Sequence, residues 1–337
     1  MRLRASVAKE LTDIGEFGLI ARIRAGQKKP GRGVLLGIGD DAAAFALPRG
    51  AAGIVTTDTL AERTHFDLRY TTYRDLGWKA MAANLSDIAA MGGRPLLAVV
   101  ALTLTARQAV RDVDELYRGM RSLADRHGVA IAGGDVVRGR ELSLTIAVIG
   151  ECRRGNLGLR SGARPGDAVL VTGDLGASKA GLELLRNARS KINNERSVRK
   201  HLRPEPRVSE GMALARRFQL HGMIDISDGL APELHHLAAG SRAGIVIDQG
   251  ALPVADEAVA ASRRSGEDPA DYCLRSGEEY ELLFTLPLAD AVKARALLEG
   301  CGTRCTIIGQ VVRGRGVRII GRDGRRRALP SNGYAHF

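Results

Sequence analysis

Met223-Ile224-Asp225-Ile226-Ser227-Asp228-Gly229 places two carboxylates at the end of a short apolar run, just before a turn-forming glycine. If the run is extended, alternation puts Asp225 and Ser227 on one face. Gly229 then turns the chain, and a helix is expected from Leu230. An N-cap role would account for Asp228. It would not account for Asp225, because an unpaired carboxylate in an apolar strand is costly. A strand that hands acids into a turn ahead of a helix points to an α/β protein. Four further stretches repeat the arrangement: GIGDDAA at 37–43, TTDTL at 56–60, NLSD at 84–87 and GGD at 133–135. One such stretch is ordinarily a turn or a cap. Five in one chain suit a hard cation, since Mg²⁺ takes oxygen ligands and keeps part of its water shell. They point to a polynuclear Mg²⁺ site that handles phosphate groups.

Working outward, strand-like runs alternate with helical patterns, which gives an α/β (α+β) fold class. Strands are expected over 34–38, 53–57, 142–149, 168–171, 223–226 and 281–286. The apolar run 95–104 reads as a buried strand, about half of what a membrane span needs. Helices are expected over 75–91, 107–127 and 178–187. In the first, Asn84 and Asp87 are three apart and share a face. In the second, Val110, Val113, Leu116, Tyr117, Met120, Leu123 and Ala124 follow helical spacing and Gly128 supplies the stop. The segment 189–203 reads as an exposed, charged connection. Residues 306–312 and 317–320 read as a terminal hairpin, with the seven arginines between 313 and 327 as its solvated face. A length of 337 residues is long for one core. The Gly-, Arg- and Pro-rich stretch 153–167 marks the division into domains 1–152 and 153–337.

The net charge is +12, yet aromatics are only 4% and the arginines are dispersed, so no nucleic-acid partner is expected. Phosphorylated substrates account for the sign equally well. Arg2, Arg4 and Lys9 are followed by no apolar stretch, the four cysteines form no disulfide framework, and no membrane span is visible, so a cytoplasmic location is expected. Cys301 and Cys305 lack the second ligand pair of a zinc site. The glycines at 37 and 39 imitate a dinucleotide fingerprint, but Asp40 and Asp41 would repel a pyrophosphate there. GDLGASK at 173–179 departs from a P-loop at its end, and protein-kinase signatures are missing. Phosphoryl chemistry here has to use a metal-rich design. His65 follows the second acidic stretch and, taken alone, reads as an ordinary surface or core histidine.

GIGDDAA, TTDTL followed by THF, GWKAMAANLSDIAAMGG, GGDVVRG, RSGARPGD with VTG, HLRPEPR, DISDGL, SGEEYELLFT and GYAHF follow one another from about Gly15 to Phe337. This ordered set resembles the thiamine-monophosphate kinase family of the aminoimidazole ribonucleotide synthetase-like ATP-binding superfamily. The resemblance implies a two-domain PurM-like fold. Its N-terminal domain would bind ATP and Mg²⁺ and form a homodimer, and its C-terminal domain would complete the active site. It implies ATP-dependent phosphorylation of thiamine monophosphate to thiamine diphosphate with several Mg²⁺ ions and ATP as co-substrate. By matching motif, Asp41, Thr56, Thr57, Asp58, Asp87, Asp135, Asp225 and Asp228 would hold Mg²⁺. Tyr117, Gly134, Asp135, Arg160 and Ser227 would contact ATP, and His65, Glu278 and Tyr334 the thiamine substrate. No residue is expected to act as a covalent or acid–base catalyst. Two sibling activities fit less well: selenophosphate synthetase needs an early reactive Cys, and the first here is Cys152. The hydrogenase maturation dehydratase needs a C-terminal Cys, where this sequence has Phe337. Val136-Val137 replace two threonines of the pattern, and Ser276 and Glu279 replace Gly and Asp. The loop 61–64 is bulkier than the family's. These departures bear on the geometry of the substrate pocket.

Overall fold

The computed structural model describes residues 34–36, 40–41, 43–46, 50–105, 108–187 and 196–334. Gly37 to Gly39 and Ala42 of the first acidic stretch, residues 106–107 and 188–195, and Ala335 to Phe337 lie outside them.

Long alternating strands build the first sheet. Its order is β1-β2-β3-β6-β4-β5, from β1 (Val34–Leu36), β2 (Ala43–Ala46), β3 (Ala51–Ala61), β4 (Arg94–Leu104), β5 (Ala130–Arg138) and β6 (Ser143–Arg153). In β6, Leu144, Ile146, Val148, Gly150 and Cys152 are buried while the residues between them are half-exposed, so one face of the sheet is covered. Helix α1 (Tyr73–Ala90) covers it and is itself buried almost all round. Helix α2 (Val110–Ala124) crosses α1 at backbone contact. A Cβ on Gly77 would lie 2.0 Å from the Leu116 carbonyl oxygen, and one on Gly119 would lie 1.9 Å from that of Arg74. Glycine is required at both positions.

The second sheet has the order β13-β12-β9-β11-β7-β10-β8. Its strands are β7 (Asp167–Thr172), β8 (Gly222–Asp225), β9 (Gly244–Asp248), β10 (Leu282–Pro287), β11 (Cys305–Val312), β12 (Gly316–Ile320) and β13 (Arg326–Ala328). Helices α3 (Ala177–Asn187), α4 (Arg196–Leu202), α5 (Val208–Arg217), α6 (Leu230–Ser241), α7 (Asp256–Ser265), α8 (Pro269–Leu274) and α9 (Leu288–Gly300) surround it. One apolar cluster runs from Ile54, Leu85 and Val148 at the first sheet to Leu170, Met223 and Phe284 of the second. The two sheets therefore share a core, and the acidic strand ends meet where that core opens to solvent.

Two expectations fail. Residues 306–312 and 317–320 do not pair: β9 stands between β11 and β12, antiparallel to the first and parallel to the second. The hairpin is instead β12 with β13, and it carries the arginine-rich turn. Short-range pattern cannot reveal a third strand inserted from about 60 residues upstream, whatever the turn chemistry. Part of 189–203, expected as an exposed connection, is helix α4, with Ser197, Val198, His201 and Leu202 buried. Its seven residues are too few to display a periodicity.

Candidate active site

A cleft of about 1410 Å³ opens at the end of the shared core. Thr56, Thr57 and Asp58 reach it from β3, Asp87 from the last turn of α1, Asp225 from the end of β8, and Asp41 from beside β2. The expected common face of Asn84 and Asp87 is what joins helix to strand. Asn84 Oδ1 accepts from the Asp58 N–H at 3.2 Å, and Thr56 Oγ1 donates to Asp87 Oδ2. Ser86 Oγ donates to Asp225 Oδ2 at 2.6 Å and so ties α1 to the second sheet. Carboxylate oxygens of Asp41, Asp87 and Asp225 lie within 4.8 Å of one another.

Packing these acids together out of water disfavours their charged forms. Burial, then the charge of Asp41, raises the Asp225 pKa to about 8, against the opposing Ser86 hydrogen bond and Arg160. Burial raises Asp58 to about 6, although a hydrogen bond with Asp87 opposes the shift. Asp87 is pushed well up by burial and by Asp58, Asp225 and Asp41. Asp40 rises to about 7, chiefly through burial and its neighbour Asp41. Arg160 offers partial relief. Its Nε donates to Asp41 Oδ1 at 3.1 Å, and its backbone N–H to Asp40 Oδ1 at 2.9 Å. Asp41 Oδ2 is buried with no hydrogen-bond partner among the described residues. The donor set is all oxygen, overcharged and partly unpartnered, which fits a hard divalent cation such as Mg²⁺.

Asp228 lines the same cleft but does not cap the following helix, as it could have. The N-cap of α6 is Gly229, which makes no side-chain cap. Glu233 reaches back instead. Its Oε1 accepts from the Asp228 N–H at 2.8 Å and the Ser227 N–H at 3.2 Å, which leaves the Asp228 and Ser227 side chains at the cleft.

His65, Glu278 and Tyr334 also line the cleft. His65 Nδ1 accepts from the Ala61 N–H at 3.1 Å, so in the neutral ring Nε2 carries the proton. Glu278 and Tyr280 both have left-handed backbones, at φ 56° and 51°. That conformation is costly for residues with side chains. It is secured by N–H bonds from Glu278 to Ser227 O (2.6 Å) and from Tyr280 to Ile226 O (2.8 Å). Lys79 Nζ stands 2.6 Å from Glu278 Oε1, and His201 Nδ1 stands 3.3 Å from Glu278 Oε2. Burial opposes the Glu278 charge, but Lys79 and His201 outweigh it and hold the pKa below the ordinary range.

The departures Ser276 and Glu279 do not face the cleft. Ser276 Oγ donates to Glu279 Oε1 at 2.6 Å, and the same oxygen accepts from the Gly176 N–H at 2.7 Å. Together they close the N-terminus of α3, where an acid is favoured. The longer Glu arm is thus matched by a hydroxyl beneath the pocket floor.

Three expected residues stand elsewhere. Gly134 and Asp135 are on β5, an exposed edge strand. Asp135 pairs with Ala101, Ala101 with Thr145, and Thr145 with Thr59. Three inter-strand steps of about 4.8 Å therefore separate Asp135 from β3. Tyr117 is on α2 with the Arg121 guanidinium 5.5 Å from its ring. Sequence reasoning overlooked Lys79, His201 and Glu233. Each was visible only as a charged or polar residue at a buried helical position.

The chain matches the model of the AIR synthase related protein N-terminal domain over residues 39–152 and that of the C-terminal domain over 164–322. It is 38% identical over 334 residues to the thiamine-monophosphate kinase of Escherichia coli (strain K12), covering 96% of this chain and 98% of that protein. It is 36% identical over 308 residues to that of Bacillus subtilis (strain 168), covering 90% and 93%. Among solved structures, AaThiL complexed with AMPPCP and TMP superposes with a TM-score of 0.84 at 33% identity, covering 98% of this chain and all of that one. These matches run along nearly the whole chain, and the chain belongs to the thiamine-monophosphate kinase family of AIR synthase related proteins.

Proposed function

We propose that this chain phosphorylates thiamine monophosphate with ATP to give thiamine diphosphate, by direct transfer of the γ-phosphate. The observation that carries the reading is the Asp41, Asp87 and Asp225 cluster, only partly offset by Arg160, in a cleft that a strained, paired Glu278 also lines. The occupants of the similar AaThiL complex support it. Asp41, Thr56, Thr57, Asp58, Asp87, Asp225 and Asp228 are the residues that would hold Mg²⁺. Bound there, the ions would supply charge neutralisation for the reacting phosphates. Arg160, now on Asp41, is placed to turn its guanidinium to a phosphate oxygen, and Ser227 would contact ATP beside it. His65, Glu278 and Tyr334 would orient the acceptor. The acceptor phosphate is already ionised at about pH 7, so no general base is required. Positioning and electrostatics suffice, as is usual in phosphoryl transfer.

Residues 1–152 would form the ATP- and Mg²⁺-binding half and 153–337 the half that completes the site. We further propose a homodimer through the first sheet. Val136 and Val137 on its edge strand are 60% and 49% exposed in the single chain. A second copy would also account for Tyr117, Gly134 and Asp135, which do not line the cleft described above. Two-fold dimers are the commonest oligomer. ADP release from MgATP, measured with and without thiamine monophosphate, tests the activity, and release that ignores the acceptor refutes it. With γ-labelled ATP alone, no label should remain on the protein. A monomeric mass by light scattering at micromolar concentration would refute the dimer. Among the described residues, no helix is long and apolar enough to cross a membrane.

A further inference from the structure

Two buried cations or donors converge on one acid of the acceptor wall. The Lys79 side chain is 2% exposed and that of His201 4%, while the Glu278 carboxylate between them is 28% exposed. Lys79 comes from α1 under the first sheet and His201 from α4, 122 positions later. Neither belongs to the acidic cluster. Lys79 Nζ also lies 3.4 Å from His201 Nε2. An ammonium group only donates, so Nε2 must accept and the ring proton must sit on Nδ1. Nδ1–H then points at Glu278 Oε2, with Ser178 Oγ a second neighbour at 3.3 Å. Lys79 thus acts twice, directly on Oε1 and, by setting the imidazole tautomer, on Oε2. Each carboxylate oxygen keeps lone pairs for the cleft and has no proton to offer there.

We propose that Lys79 and His201 are positioning residues that lock the Glu278 carboxylate in one orientation as an acceptor, so that the cleft selects an acceptor substrate carrying a cationic or N–H-bearing ring. This rests on the reading above that Glu278 touches the acceptor. The pair costs two buried polar groups that a purely structural contact would not need at the rim of a cavity. It also explains why a left-handed, non-glycine residue is retained at 278: the strain aims a side chain, and the two partners fix where it ends.

Steady-state kinetics with thiamine monophosphate and ATP varied separately tests it. Lys79→Met and His201→Leu should each raise KM for thiamine monophosphate by about 10-fold, the worth of a charge-assisted hydrogen bond, with KM for ATP unchanged. His201→Asn, which retains a donor near the Nδ1 position, should recover most of the loss. Lys79→Met placed on Glu278→Gln should add nothing to the effect of Glu278→Gln alone. That double variant removes both buried charges and serves if Lys79→Met alone fails to fold. If Glu278→Gln leaves KM for thiamine monophosphate unaltered, the substrate-contact reading fails. If Glu278→Gln raises it while Lys79→Met and His201→Leu do not, or if they raise both KM values alike, the positioning role alone is overturned.

Discussion

Two sets of buried carboxylates sit in this molecule, and the fold treats them oppositely. Asp41, Asp58, Asp87 and Asp225 face one another, with Arg160 as the cation that touches them through Asp41, and their pKa values are driven up. Glu281 lies equally deep yet is held down to about 2, because Lys200 and Arg207 outweigh burial. Arg207 donates to both its oxygens, at 2.6 and 2.7 Å, and Thr172 Oγ1 adds a bond at 2.7 Å. Glu278 follows the second pattern. Desolvation is similar in both sets, so the difference lies in who supplies the counter-charge. Where the chain supplies it, the acid is structural or positional. Where it does not, a proton or a bound cation can take its place.

The largest effect should come from removing charge in the cleft, where the chain's own counter-charge falls short of the acids. Asp41→Asn or Asp87→Asn is expected to lower kcat/KM by on the order of 10³-fold, since charge stabilisation at the reacting phosphates is lost. For Asp87→Asn the metal-free melting temperature should hold or rise, because a repelling carboxylate is gone. Wild-type turnover at saturating Mg²⁺ in either variant would break the comparison. The same change on the paired side should do the reverse. Glu281→Gln leaves Lys200 and Arg207 with only their longer contacts to Glu279 and Glu210 and should cost about 2–4 kcal/mol of stability by denaturant unfolding. A shift below about 0.5 kcal/mol would show the pair to be ornamental.

A third, smaller effect separates the sets by pH. In the acidic cleft the folded-state pKa values exceed the ordinary 3.8, at about 6 for Asp58 and about 8 for Asp225. The folded protein therefore binds more protons than the unfolded one, and metal-free stability should fall as pH rises from about 5 to about 8. Glu281 works in the other window. Its folded pKa of about 2 lies below 4.5, so its contribution is present above that value and lost as pH falls toward 2. Millimolar Mg²⁺ competes with the cleft protons. It should raise the melting temperature by roughly 5 °C near pH 8 and much less near pH 5. A shift equal at both pH values would place the binding elsewhere. The smallest effect is expected far from either set. Replacing Arg322 and Arg325 of the β12–β13 turn by Ser should change stability by less than about 1 kcal/mol, since these side chains are exposed and weakly paired.

The acidic stretches were legible because they are local. Each needs only a few residues of strand, turn and small neighbours, and the spacing of Asn84 and Asp87 on one helix already set which side chains would face β3. Their order along the chain carried the family as well. What escaped depended on contacts between distant segments. Lys79 meets Glu278 across 199 positions of sequence and His201 across 122, and nothing near Lys79 distinguishes it from any other helical lysine. β9 inserts between β11 and β12, so a reading from neighbour to neighbour made a hairpin of strands that never touch. Asp135 carries the same Gly-Gly-Asp signature as a cleft residue, yet sheet order leaves it at an edge. Residue type and local spacing thus determined which groups could bear charge and at which turn they would emerge. Only the packing of the two sheets on one core decided which of those charges are answered within the chain, because desolvation and Coulomb energy depend on distance in space rather than along the sequence.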